Sequence, residues 1–80
     1  MLIRSQNKKR LVDAIEIYVD TDVVTLKKER TVKARYARQP AFFDNSVELG
    51  KYPNEETAVN EVDNIMQFFI DNPSGVYQMK

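Results

Sequence analysis

The second half of the chain contains a clear stretch of helical periodicity. Its apolar residues recur at intervals of three and four positions: Ala58, Val59, Val62, Ile65, Met66 and Phe69. This spacing places them on one face of an amphipathic helix, whereas Glu61, Asp63 and Gln67 lie mostly off that face. The pattern therefore predicts one long helix that needs a partner surface for its apolar side.

The sequence also predicts where this helix begins and ends. Asn54 is a favoured N-cap residue, and Glu55 and Glu56 follow it where the helix dipole favours negative charge. The segment 71–75, Asp-Asn-Pro-Ser-Gly, predicts the end of the helix, because the residue before proline resists helical geometry and glycine allows the chain to turn.

Upstream, shorter runs indicate β-strands. Residues 1–5 and 10–12 flank a polar turn and predict a first hairpin. Residues 15–19 alternate, with Ile15, Ile17 and Val19 on one face, and predict a further strand.

Three more runs complete the predicted sheet. Residues 23–26 and 31–37 predict a second hairpin, with Val32, Ala34 and Tyr36 on its buried face. Residues 47–50 return as a strand with Val47 and Leu49 facing inward, and residues 76–79 form a short last strand or an ordered tail. The fold class is therefore α+β, a single domain over 1–80 in which one C-terminal helix packs on an antiparallel sheet of four to six short strands.

Composition argues against an enzyme. The chain has no cysteine and no histidine, so it lacks thiolate zinc ligands, disulfides and the commonest general base. Asp20-Thr21-Asp22 lacks the glycine and distal glutamate of a calcium loop and is interpreted as a turn. We expect no catalytic residue, cofactor or metal site. Because no signal peptide or membrane span is visible in the sequence, we also expect a soluble, cytoplasmic protein.

Charge is divided unevenly along the chain. Residues 1–40 hold ten Lys or Arg against five Asp or Glu, and residues 41–80 hold two against seven. The candidate nucleic-acid contacts in the basic half are Lys27, Lys28, Arg30, Lys33 and Arg35. Basic side chains beside aromatic rings are typical of proteins that bind single-stranded nucleic acid, because the charges contact phosphates and the rings stack on nucleobases. A solvated basic face, with Tyr36 turned into the core, explains the same pattern, so nucleic-acid binding is the alternative function.

Apolar residues beyond the helix stripe favour association. The adjacent rings Phe42 and Phe43 cannot both face inward from an extended segment, so either one of them is exposed as an interface residue or the pair holds its loop against the core. Phe68 and Ile70 widen the apolar arc of the helix. These four residues are the candidate interface. They predict a small protein-interaction module that binds either a second copy of the chain or a foreign protein.

Several segments resemble a group of small uncharacterised proteins from Gram-positive bacteria and their prophages. They are residues 3–9 (Ile-Arg-Ser-Gln-Asn-Lys-Lys), the strand 15–19, residues 49–52 (Leu-Gly-Lys-Tyr) and the helix start Glu55-Glu56-x-Ala58. The resemblance implies a cytoplasmic α+β domain of prophage or mobile-element origin. That group has no assigned activity, so the resemblance gives no residue a functional role.

Overall fold

A computed structural model describes residues 1–20, 28–36 and 45–80. In chain order, these residues form the elements β1 (Leu2–Arg4), β2 (Leu11–Asp20), β3 (Arg30–Tyr36), β4 (Ser46–Tyr52), α1 (Glu55–Asp71) and β5 (Val76–Gln78). The strands make one sheet in the order β4-β3-β2-β1-β5. The predicted α+β class is confirmed. The sheet is mixed rather than antiparallel throughout, because β5 runs parallel to β1.

The core lies between one face of this sheet and α1. The largest fully buried side chains come from three different strands and the helix: Ile3, Val32, Leu49 and Ile65. A short chain buries a smaller fraction of its surface than a long one, so some apolar side chains stay exposed. Which side chains these are depends on how much of each strand the helix covers.

The predicted first hairpin is confirmed, but its second strand is longer than expected. β2 continues through residues 15–19 as one strand, and its pairing with β3 shifts between Ala14 and Glu16. This β-bulge leaves Ile15 without an opposite residue and moves the inward face from Val12 and Ala14 to Ile17 and Val19. Ile15 was predicted to share one face with Ile17 and Val19, but it is 61% exposed, whereas those two residues pack against the core.

Of the predicted second hairpin, the strand 31–37 is present as β3, Arg30–Tyr36, whereas residues 23–26 lie outside the described ranges. β3 pairs with β2 on one side and with β4 on the other. Val32 and Ala34 are buried as predicted, but Tyr36 is partly exposed because it lies at the end of β3, beside an open pocket lined by Val12 and Val47.

Gln6 covers part of the outer edge of β4. Its backbone N–H donates to the Leu49 carbonyl at 2.7 Å, and its side-chain oxygen accepts from the Lys51 N–H at 3.1 Å. A Cβ at position 50 would lie 3.1 Å from the Cβ of Gln6, so Gly50 leaves room for this close approach. Two of the segments that carry the family resemblance therefore meet here, in a structural contact.

The predicted helix start is confirmed in atomic detail. The Asn54 side chain accepts from the backbone N–H of Thr57 at 2.8 Å, and α1 ends at Asp71. Ala58 and Ile65 are buried as predicted. Val59 and Met66 are exposed and Glu61 is buried, so the apolar face is rotated from the predicted one toward Glu61.

Candidate interaction surface

The two flanks of α1 differ sharply in what they bury. On the flank facing β4 and β5, here called the inner flank, Glu61 is only 3% exposed. Its carboxylate accepts hydrogen bonds from the hydroxyl groups of Tyr77 at 2.7 Å and Tyr52 at 3.3 Å. It also accepts from the backbone N–H of Lys80 at 2.6 Å and from the side-chain amide of Asn64 at 3.1 Å. All four partners are donors, so the buried carboxylate is fully used inside the fold.

This network alters the two tyrosines. Burial, together with the adjacent Glu61 carboxylate, raises the pKa of Tyr52 well above its usual value, and the same causes raise the pKa of Tyr77. The main-chain oxygen of Lys80 lies nearer, at 2.9 Å, so the single hydrogen of the Tyr52 hydroxyl is shared between this oxygen and the Glu61 carboxylate. The cluster joins the helix, β4 and the segment after β5, which makes it a structural tie.

Phe68 belongs to the same inner flank. Its ring is half-buried and meets the rings of Phe69 and Tyr77 edge to face, with centroids 5.0 and 5.3 Å apart. Gly75 lies directly against it, since a Cβ there would come within 2.9 Å of the Phe68 ring. Phe68, which was predicted to lie in the interface, therefore packs mainly against other residues of the same chain.

The opposite side of α1, here called the outer flank, carries exposed apolar side chains. Val59, Met66 and Ile70 recur at seven- and four-residue spacing, and Met66 and Ile70 are 57% and 65% exposed. Ile70 is thus the member of the predicted interface that the structure leaves open to solvent. Met66 and Val59 were expected to pack on the sheet, but the rotation of the helix toward Glu61 turns them away from it.

Met66 and Ile70 border an apolar depression of about 470 Å³ where α1 meets the sheet. Met1 and the bulged residue Ile15 line its sheet side, and Ile17 and Ile65 also contribute to its lining. Ile15 reaches this position because the bulge frees it from the ladder with β3. Sequence alternation placed Ile15 on one face with Ile17 and Val19, so its contribution to the depression was missed; an unpaired residue within a strand leaves no local sequence signal.

The predicted nucleic-acid residues do not form an unopposed basic face. Lys33 forms an ion pair with Asp20 at 2.9 Å, and Arg35 pairs with Glu16 at 2.9 Å and lies over the Tyr18 ring. The Arg30 guanidinium donates to the Glu29 carbonyl, and Lys28 is exposed. These acids come from the neighbouring strand β2, whose pairing with β3 the sequence pattern did not predict. Nucleic-acid binding stays a prediction.

Three predicted site residues lie outside the described ranges: Lys27, Phe42 and Phe43. Among the described residues, the structure brings Ile70 together with Met66 and Ile15.

A second, polar pocket lies between the first hairpin turn and the outer edge of β4. It measures about 270 Å³ and is lined in part by Ser5, Arg10 and Glu48. The buried Ser5 hydroxyl is fully engaged, donating to Asn7 at 2.7 Å and accepting from the Arg10 N–H at 3.1 Å. Arg10 and Glu48 present opposite charges, so this pocket shows no preference for an anion or a cation.

No helix within residues 1–20, 28–36 and 45–80 is long and apolar enough to cross a membrane. No known protein family, curated protein or solved structure matches this chain.

Proposed function

We propose that this protein is a small, non-enzymatic interaction module that binds another protein chain through the apolar depression. The observation that carries the proposal is the clustering of Ile15, Met66 and Ile70, each more than half exposed, around one depression. Single exposed apolar residues are common, but several large ones around one concave surface mark a binding site.

Two sets of polar side chains in the described part of the chain have internal partners that support a structural role. Glu61 accepts from Tyr52 and Tyr77, and charged side chains pair across β2 and β3. These internal contacts leave the apolar depression uncovered. Cytoplasmic location and mobile-element origin stay predictions.

Site-specific photo-crosslinking tests the proposed surface. A benzoylphenylalanine residue is placed at Met66 or, as a control, at Leu11, which is 61% exposed on the opposite face of the sheet. We expect a discrete crosslinked adduct in expressing cells from position 66 and not from position 11. The mass of the adduct distinguishes a second copy from a foreign protein. Absence of an adduct at position 66, or equal yields at both positions, would contradict the proposal.

A further inference from the structure

We infer that the apolar depression binds a cationic amphipathic helix of a partner protein, rather than a second copy of this chain. The inference rests on the proposed function and adds the chemistry of the partner. It follows from the charges around the depression and from the spacing of its apolar residues.

The helix that borders the depression is acidic, and its exposed acids lie beside the depression rather than in its lining. α1 contains five Asp or Glu and no Lys or Arg. Glu61 is buried on the inner flank, which leaves Glu55, Glu56, Asp63 and Asp71 exposed. Asp63 lies four residues after Val59 and three before Met66, so it shares their flank. Lys or Arg side chains at the edge of a bound segment would meet these carboxylates.

The sheet side adds no excess of positive side-chain charge. Two ionisable groups belong to described residues that line the depression: the Glu16 carboxylate, which is paired with Arg35, and the Met1 ammonium, which is paired with Asp13. A ligand therefore meets an apolar surface with an acidic border, and the complementary ligand is apolar and basic.

The same charges disfavour a symmetric dimer. A two-fold dimer centred on the depression places this patch against the same patch of the second chain. The acidic flanks of two α1 helices would then face each other, and neither helix has a Lys or Arg to pair with them. Exposed basic residues of the first hairpin, Lys8, Lys9 and Arg10, lie on a different part of the molecule. A two-fold dimer could use these residues only if α1 of each copy reached the first hairpin of the other, and none of the three lines the depression, so a dimer centred on the depression leaves its acidic side chains unpaired.

The spacing of the outer flank indicates a helical partner. Val59, Met66 and Ile70 recur at seven and four residues, which is the repeat by which one helix packs along another. An anionic membrane surface is disfavoured, because it would meet the same exposed carboxylates.

Two designed helical peptides test the inference on the whole chain. They share length and an identical apolar face, and the polar face carries Lys in one and Glu in the other. Fluorescence anisotropy should show the Lys peptide binding at least about tenfold more tightly, and the difference should shrink as salt rises. The double variant Glu56→Gln, Asp63→Asn should reduce the difference, whereas Glu48→Gln, a matched exposed acid on β4, should leave it unchanged. Ile70→Ser should weaken binding of both peptides.

The outcomes separate this inference from the proposed function. Equal affinities that both depend on Ile70 would overturn the charge argument while leaving the apolar docking surface in place. Binding of neither peptide, binding of anionic vesicles instead, or an Ile70-dependent dimer in sedimentation equilibrium would overturn the inference. The crosslinking yield at position 66 reports on the proposed function independently of all these results.

Discussion

The two flanks of α1 reverse the usual distribution of polar and apolar side chains. The inner flank buries a carboxylate at Glu61, and the outer flank exposes the apolar side chains of Met66 and Ile70. On this helix, whether a side chain is buried therefore depends on whether it faces the sheet and not on whether it is polar or apolar. A buried polar group is tolerated where every hydrogen bond is made, and an exposed apolar group marks a surface that the fold itself does not cover.

The cause of the difference lies in what each flank meets. The inner flank faces Tyr52, Tyr77 and the backbone of Lys80, whose hydroxyl and N–H groups all point at Glu61. The outer flank faces the bulged part of β2, where Ile15 is exposed and no other strand of the described ranges covers it. One flank is therefore a structural tie and the other is available for binding.

The largest expected effect is on the inner flank. Glu61→Ala removes the acceptor for two tyrosine hydroxyls and two N–H groups, and it leaves the buried Tyr77 hydroxyl without its carboxylate partner. We expect the free energy of unfolding to fall by at least about 2 kcal/mol. Urea denaturation measures it, with Glu56→Ala on the exposed first turn as the matched control. Equal stability of the two variants would show that the buried network does not form.

The same cluster should make stability sensitive to high pH. Below about pH 10 both the folded and the unfolded chain keep the protons of Tyr52 and Tyr77, so these residues do not make the free energy of unfolding depend on pH. Above it the unfolded chain loses protons that the folded chain retains, because folding raises both pKa values. Stability should then fall as pH rises, by up to about 1.4 kcal/mol per unit for each tyrosine.

Urea denaturation between pH 9 and 11.5 measures this slope. Tyr52→Phe and Tyr77→Phe should each reduce it, whatever their effect on stability at neutral pH. A slope unchanged by both substitutions would show that these hydroxyls are not held in the buried network.

The smallest expected effect on stability is on the outer flank. Met66→Ser and Ile70→Ser remove exposed apolar side chains, so each should change the free energy of unfolding by no more than about 0.5 kcal/mol. Thermal melts measure it, and Ile65→Ala, which empties a buried position between the flanks, should cost about 2 to 5 kcal/mol in the same assay. Destabilisation by Ile70→Ser comparable with that of Ile65→Ala would mean that the outer flank belongs to the core.

Local features of the fold were predictable from sequence, and features that depend on distant partners were not. The Asn54 cap and the end of α1 at Asp71 depend on neighbouring residues, and both were predicted correctly. Glu61 was expected to lie off the buried face, because it is charged. It is buried instead because three of its four donors come from residues 9, 16 and 19 positions away, and their positions are not visible in the local sequence. The bulge beside Ile15 depends on the register with β3 and was missed for the same reason.

The candidate surface was predictable only in part. The excess apolar surface near Ile70 was visible as a widened helical arc, whereas Phe68 is held in place by Gly75 and Tyr77, whose positions depend on the turn after the helix. Met66 was assigned to the buried stripe because periodicity does not determine how a helix is rotated on its sheet.

The contacts of Gln6 and β5 also determine the order in which the chain can fold. The first hairpin closes locally, through a bond from the Ser5 N–H to the Arg10 carbonyl. By contrast, the Gln6 side chain donates to the oxygen of Lys80 across 74 residues, and Gln78 donates to Ser5 across 73. Closing so long a loop is entropically costly and slow, so we expect the hairpin to form early and β5 to dock last. Until it docks, β1 has an open edge and Glu61 lacks the donors from Tyr77 and Lys80, which makes the late intermediate the species most exposed to misassembly.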